Sequence, residues 1–112
     1  MSDASFLANE KSFIIGMVHC LPLPGTMGFD GDMKKIVNQA VADAKTLEKS
    51  GMDAIIIENM GDTPFGIKLD TAQVAALAAV SALVSKEVQL PVGIDAAMND
   101  YEAALSIAKA IG

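Results

Sequence analysis

The fold is decided by the stretch Lys49-Ser50-Gly51-Met52-Asp53-Ala54-Ile55-Ile56-Ile57-Glu58, in which the end of a helix runs at once into a buried strand. Gly51 is typical of the left-handed residue that closes a helix. The isoleucine run after it does not alternate between polar and apolar residues, which is typical of a parallel strand covered on both faces. The stretch therefore predicts a helix-to-strand junction of a parallel α/β protein.

The same helix ending recurs at Gly112, which follows Ala108-Lys109-Ala110-Ile111. By this pattern, a fourth strand is expected next. Three parallel strands alone would leave both edges of a sheet open. We therefore expect residues 13–112 to be the first three βα units of a larger domain that is incomplete here, with an N-terminal leader at residues 1–12.

A strand, a loop and a helix follow one another three times. The strands are predicted near residues 13–18, 53–58 and 91–95, and the helices near residues 33–50, 71–86 and 100–111. Two capping boxes, Asp70 with Gln73 and Asn99 with Glu102, mark the starts of the second and third helices. The apolar stripe of the third helix is expected to comprise Tyr101, Ala104, Leu105, Ala108 and Ile111.

Alternating strands and helices predict a parallel sheet ordered one, two, three, as either a barrel or an open doubly wound sheet. No Gly-x-Gly-x-x-Gly motif follows the first strand, which weakens a dinucleotide-binding interpretation. Each strand instead ends in polar residues followed by a loop. That pattern favours a TIM (β/α)8 barrel, in which several strand ends build one site.

Composition limits the partners and the compartment. A net charge of −6 argues against nucleic acid. All eight basic residues are lysines, so these residues cannot form a planar bidentate anion clamp. The longest apolar stretch, residues 74–84, is too short to span a bilayer, which takes about 20 residues. No secretory signal is recognisable and the single cysteine excludes an internal disulfide, so a cytoplasmic protein is expected.

Three candidate catalytic residues end the three predicted strands: His19, Glu58 and Asp95. Neighbouring strands lie about 4.8 Å apart, so these side chains are expected to converge. One imidazole and two carboxylates suit acid/base chemistry or a divalent metal, although no metal-binding signature is present. Whether a metal or another cofactor binds stays open. The structural alternatives are that His19 orders the proline loop and that Asp95 caps a short loop.

Two further residues are candidates for substrate binding, Asn59 and Asp62. Because side chains alternate along a strand, only one of Glu58 and Asn59 can face the barrel mouth, and the sequence does not say which. Asp62 follows Gly61 and could equally cap loop amides. Cys20 adjoins His19, but neighbours on a strand point to opposite faces. A buried thiol without a chemical role is expected there.

Several stretches resemble the BtpA family from about residue 13 to the end of the chain. They are Ile15-Gly16-Met17-Val18-His19, Pro22-Leu23-Pro24-Gly25, Leu90-Pro91-Val92-Gly93-Ile94 and, most specifically, Glu58-Asn59-Met60-Gly61-Asp62-Thr63-Pro64-Phe65. The resemblance implies a TIM barrel of roughly twice this length. A cyanobacterial member of that family is linked to photosystem I biogenesis as a peripheral membrane-associated factor, and other members lie beside sugar-metabolism genes.

The polar residues at all three strand ends favour a protein that binds or converts a small sugar-derived or phosphorylated metabolite there, although the family has no settled reaction. The alternatives are a non-catalytic assembly factor for a membrane complex such as photosystem I, and a half-barrel that associates with itself. A homo-oligomer is expected, and peripheral membrane association is compatible with the family. After the third strand the family commonly has asparagine and arginine where this chain has Asp95 and Met98. If that arginine contacts an anionic ligand in the family, this chain lacks the contact and has a carboxylate nearby instead.

Overall fold

The structure is a computed structural model that describes residues 5–8 and 12–112. It contains a 3-10 helix (Ser5–Ala8) and then three strands alternating with three α-helices. These are β1 (Ile15–His19), α1 (Met33–Lys49), β2 (Ala54–Glu58), α2 (Thr71–Glu87), β3 (Val92–Asp95) and α3 (Tyr101–Ile111). The strands form one parallel sheet ordered β1-β2-β3, which confirms the predicted order. Of the predicted leader, residues 1–4 and 9–11 lie outside the described residues.

The two faces of the sheet differ in their coverage. Consecutive parallel strands joined by right-handed crossovers place all their helices on one face. Along β1, Gly16 and Val18 are buried, whereas Ile15, Met17 and His19 are exposed. A Cβ atom at Gly16 would lie 3.0 Å from Leu47 of α1. The three α-helices therefore cover the Gly16 face and leave the opposite face open, except where Leu7 of the 3-10 helix lines a pocket with Ile15 and Ile56.

The hydrophobic core lies between the sheet and the helix layer. Its largest fully buried apolar side chains are Val18, Leu23, Ile36, Ile55, Ile57, Leu77, Val80, Val84 and Ile107. Helix α2 contacts both α1 and α3 and carries apolar residues around most of its circumference. Even so, no helix within residues 5–8 and 12–112 is long and apolar enough to cross a membrane.

The junction that decides the fold has the predicted geometry. Gly51 has φ +88°, and its N–H donates to the Glu48 carbonyl at 3.1 Å. The Met52 N–H donates to the Leu47 carbonyl at 3.3 Å. These two bonds make a Schellman motif, which satisfies carbonyl groups that the helix end would otherwise leave unpaired.

Helix starts were predicted correctly at α2 and wrongly at α3. The capping box of Asp70 and Gln73 is present. At α3 the N-cap is Asp100, whose side chain accepts from the Ala103 N–H, so the predicted Asn99 box is wrong by one residue. Asp100 also accepts a hydrogen bond from the Leu69 N–H at 2.8 Å. This long-range contact favours Asp100 over its neighbour, and no local pattern reports it.

The apolar stripe predicted for α3 is partly wrong. Tyr101 and Leu105 are 75% and 68% exposed, and the buried side chains of this helix are Ala103 and Ile107. Because α3 ends the helix layer, its outer flank is covered by no other described element. Strand β1 also differs slightly from its prediction, because it begins at Ile15 and includes His19.

Candidate functional site

His19, Glu58 and Asp95 form one row across the C-terminal edge of the sheet, here called the strand-end row. In the strand pairing, His19 is opposite Glu58 and Glu58 is opposite Asp95. Residues paired in this way on parallel strands present their side chains to the same face. The structure therefore brings together the three residues that the sequence proposed as catalytic, on the face of the sheet that the helices leave open.

Exposure differs strongly within the strand-end row. The His19 Nε2 atom lies 3.4 Å from the Glu58 Oε1 atom, and the His19 side chain is 51% exposed against 11% for Glu58. Asp95 is exposed and shares a hydrogen bond with Glu58. A ligand approaching the open face would therefore meet the imidazole and the Asp95 carboxylate first, with the Glu58 carboxyl between and below them.

The environment of Glu58 changes its acidity. The pKa of the Glu58 carboxyl is raised to about 7 by burial first, then by the hydrogen bond that protonated Glu58 donates to the Asp95 carboxylate and by the negative charge of Asp95. At neutral pH this carboxyl is present in both protonated and ionised forms. Such a group can both donate and accept a proton at the pH of a cell, which is what general acid/base catalysis requires.

The side-chain geometry of the described residues bears on the metal alternative. Within residues 5–8 and 12–112, no three His, Cys, Asp or Glu side chains are arranged so that they could hold a metal ion. In this part of the chain, the strand-end row offers proton-transferring groups and no ready-made set of metal ligands.

Asn59 does not join the strand-end row. Its side chain is fully buried, and both of its polar ends bind the backbone of Ala97 in the loop after β3. The Oδ1 atom accepts from the Ala97 N–H at 2.6 Å, and the Nδ2 atom donates to the Ala97 carbonyl at 3.1 Å. The choice that the sequence left open therefore falls on Glu58, which faces the row, while Asn59 connects two loops.

Asp62 is also buried and fully engaged. Its Oδ1 atom accepts from the Leu23 N–H at 2.8 Å, and its Oδ2 atom accepts from Asn59 Nδ2 at 3.2 Å and from Gln73 Nε2 at 3.0 Å. We call Asn59, Asp62 and Gln73 the loop network, because it joins the loops that follow all three strands. The predicted role of Asn59 and Asp62 in substrate binding stays a prediction.

Sequence reasoning missed Gln73 and Ala97 as members of this arrangement. Gln73 was recognised only as the partner of Asp70 in a capping box, and its second hydrogen bond to Asp62 leaves no local signal. Ala97 takes part through its peptide group alone, so its side chain carries no information about the contact.

The loops after β1 and β2 touch through their backbones. The Gly61 N–H donates to the Cys20 carbonyl at 3.1 Å, and a Cβ atom at Gly61 would lie only 2.7 Å from that carbonyl oxygen and from the Pro22 nitrogen. Only glycine fits such an approach. The Cys20 thiol is buried, as predicted, and burial followed by the negative charge of Asp62 raises its pKa to about 12.

Comparisons with known proteins give three informative relatives. An uncharacterized protein of Pyrococcus furiosus is 45% identical over 112 residues, which is 100% of this chain and 42% of that protein. The photosystem I biogenesis protein BtpA of Synechocystis is 37% identical over 100 residues, 88% of this chain and 35% of that protein. The sgc region protein SgcQ of Escherichia coli is 28% identical over 108 residues, 95% of this chain and 40% of that protein.

The matched region spans roughly two-fifths of the length of these relatives. The model of the BtpA family matches residues 10–112, a range that contains all three βα units, the strand-end row and the loop network. The chain therefore belongs to the BtpA family.

Proposed function

We propose that this chain is part of a TIM-barrel protein that binds or converts a small sugar-derived or phosphorylated metabolite at the C-terminal ends of its strands. The observation that carries the proposal is the strand-end row, in which a buried carboxyl with a pKa near 7 lies between a solvent-reaching imidazole and a second carboxylate. Buried groups with such perturbed acidity occur preferentially at functional sites.

Closure into a barrel is supported by the open face of the sheet. Sequential parallel order and helices on a single face are the arrangement of successive units in a (β/α)8 barrel. Ile15 and Met17 are 36% and 40% exposed on the open face, which would become the barrel interior once further βα units curve around it. The greater length of the relatives leaves room for such units.

In the proposed mechanism, each member of the strand-end row has a different role. Glu58 moves the proton, because it can release it to a ligand oxygen or remove it from a ligand hydroxyl at neutral pH. The negative charge of Asp95 helps to keep the proton on Glu58. His19 binds the ligand at the solvent side of Glu58, since its side chain is half exposed.

Charge favours the sugar end of the ligand over the phosphate end at this place. Two carboxyl groups lie in the strand-end row, and three of the lysines in the described part of the chain form ion pairs elsewhere: Lys35, Lys45 and Lys68. A phosphate group would be repelled by Asp95. We therefore assign hydroxyl groups to the row and place any phosphate of the ligand away from it.

The test is a thermal-shift screen of the intact barrel protein that contains this chain, as the parent and as its Glu58→Ala variant, against pentose and hexose phosphates and the matching free sugars. We expect at least one compound to raise the melting temperature of the parent and none to raise that of Glu58→Ala. The proposal fails if no compound stabilises the parent, or if the same compound stabilises both proteins equally.

An assembly factor for a membrane complex is the second candidate. It is favoured by the 37% identity to the photosystem I biogenesis protein BtpA of Synechocystis. As such a factor, the protein would be cytoplasmic, would associate peripherally with membranes and would act as a homo-oligomer. Sedimentation with isolated membranes that does not change in Glu58→Ala, together with no hit in the sugar screen, would favour this candidate over the enzyme.

A further inference from the structure

We propose that Asn59 is a positioning residue that sets the separation of Glu58 and Asp95 by fastening the loop after β2 to the loop after β3. The inference rests on the proposed function, because it assigns Asn59 the role of positioning Glu58 and Asp95 for proton transfer. It differs from a substrate contact in that Asn59 would act on the chemistry without touching the ligand.

Asn59 lies close in sequence to Glu58 and binds a residue close in sequence to Asp95. Asn59 directly follows Glu58, and the residue that it binds, Ala97, lies two positions after Asp95. The pairing of β2 with β3 ends at the Glu58 and Asp95 level. Beyond these residues, the loops that follow β2 and β3 are joined by the Asn59 side chain. Its two hydrogen bonds to Ala97 take the place of the backbone hydrogen bonds between the strands.

The chemistry of the contact requires an amide. The backbone of Ala97 offers Asn59 an N–H donor and a carbonyl acceptor. The Asn59 side chain accepts from the N–H through Oδ1 and donates to the carbonyl through Nδ2. A carboxylate could accept from the N–H but would face the carbonyl oxygen without a proton. A side chain without polar atoms would leave both groups of the buried peptide unpaired.

Asp62 fixes the orientation of that amide. Its Oδ2 atom accepts from Asn59 Nδ2, while its Oδ1 atom holds the Leu23 N–H in the loop after β1. Gln73 donates to the same Oδ2 atom from the first turn of α2. The loop network thereby couples the ends of all three strands that carry the strand-end row.

The pKa of Glu58 should therefore depend on Asn59, although Asn59 does not contact the Glu58 carboxyl. A hydrogen bond between two carboxyl groups weakens steeply once the oxygen atoms separate beyond its normal length. If Asn59 holds the loops at the present distance, its loss lets Asp95 move away, and the contribution of Asp95 to the acidity of Glu58 declines.

The experiment is a carbon-13 NMR titration of the Glu58 side chain in the full chain, assigned by the signal that Glu58→Gln removes. We expect a midpoint of about 7 in the parent. In Asn59→Ala the midpoint should fall by about one pH unit or more. Asn59→Ser, which retains a single hydroxyl, should lower it as well and serves if Asn59→Ala does not fold.

The matched control is Val80→Ala, which removes buried core volume from α2 without touching the loop network. It should lower the melting temperature while leaving the Glu58 midpoint unchanged. An unchanged midpoint in both Asn59 variants, or an equal fall in Val80→Ala, overturns the positioning role. Because the titration needs no ligand, a negative sugar screen with a shifted midpoint would defeat the proposed function and leave the positioning role standing.

Discussion

Glu58 and Asp95 lie opposite each other on adjacent parallel strands, with their two carboxyl groups joined by a hydrogen bond on the same face of the sheet. When two carboxyl groups are in such contact, the repulsion between two negative charges raises the pKa of one of them. Glu58 is the more buried of the two, so it is the one that retains the proton. The fold therefore carries an acid that titrates in the range where proton-transfer enzymes work.

The first prediction concerns the stability of the chain against pH. The pKa of Glu58 is about 7 in the folded chain against 4.5 for an unperturbed glutamate, so the folded state binds the proton more tightly between these values. The free energy of unfolding should therefore fall as the pH rises through this window, by about 3 kcal/mol at most. Urea denaturation at a series of pH values measures this fall in the free energy of unfolding.

Glu58→Gln is the control for this dependence, because the amide keeps the shape of the side chain and does not titrate. The variant should lose the decline in this window and should exceed the parent in stability above neutral pH. A parent curve that is flat between these pH values, or one that rises, would show that Glu58 has an ordinary acidity in the folded chain.

The second prediction concerns Gly61. A methyl group at this position would meet backbone atoms of Cys20 and Pro22 at 2.7 Å, and backbone atoms cannot yield as a side chain can. We expect Gly61→Ala to lower the free energy of unfolding by about 1 to 3 kcal/mol. Gly66→Ala is the matched control, since its Cβ atom would lie at 3.4 Å from the nearest atom. Equal stabilities of the two variants would contradict the close approach of the loops.

Part of this arrangement could be predicted from the sequence, because its cause is local. The end of α1 at Gly51 and the apolar run of β2 predict a parallel α/β unit, and a parallel sheet brings polar strand ends to one edge. This is sufficient to place His19, Glu58 and Asp95 together.

The loop network could not be predicted, because its partners are backbone groups distant in sequence. Ala97 binds Asn59 through its peptide group alone, so the identity of its side chain does not report the contact. The same limit explains the error at α3, where two adjacent residues can both cap a helix and the contact from Leu69 distinguishes them. Tyr101 is exposed because no described element packs beside it. The spacing of apolar residues along a helix predicts a shared face, but not whether another element covers that face.

The third prediction concerns self-association of the 112-residue chain. Ile14, Ile15 and Met17 are 62%, 36% and 40% exposed along β1 and its approach. An apolar surface beside an unpaired strand edge favours association. We expect dimers or larger species in sedimentation velocity, and a larger monomer fraction in Met17→Lys. Met27→Lys changes a loop side chain that is 89% exposed and should have little effect. A monodisperse parent monomer with cooperative unfolding would contradict the prediction.

The fourth prediction concerns the single thiol. The pKa of Cys20 is raised to about 12 and its side chain is 4% exposed, so the reactive thiolate is scarce at neutral pH. A thiol reagent should label the native chain far more slowly than the chain in denaturant. Cys20→Ser should retain ligand-induced stabilisation. Native labelling at the rate of the unfolded chain would show that the thiol is accessible and would reopen a chemical role for it.

The last prediction separates ligand binding from stability at His19. The His19 side chain is 51% exposed and its contact with Glu58 is 3.4 Å long, so His19→Ala should change the free energy of unfolding by less than about 1 kcal/mol. The stabilisation by the sugar or sugar phosphate that raises the parent melting temperature should nevertheless disappear. The measurement is the melting temperature of each variant with and without that compound.

Lys45→Ala is the matched control, because Lys45 is 55% exposed and lies 3.3 Å from Glu87, between α1 and α2 and away from the strand-end row. It removes a side chain of similar exposure and a contact of similar length, although Glu87 is 47% exposed against 11% for Glu58. Its stability change should be small as well, while its response to the compound should equal that of the parent. A His19→Ala protein that binds normally but melts much lower would assign the histidine to the fold and remove the solvent-side member of the proposed site.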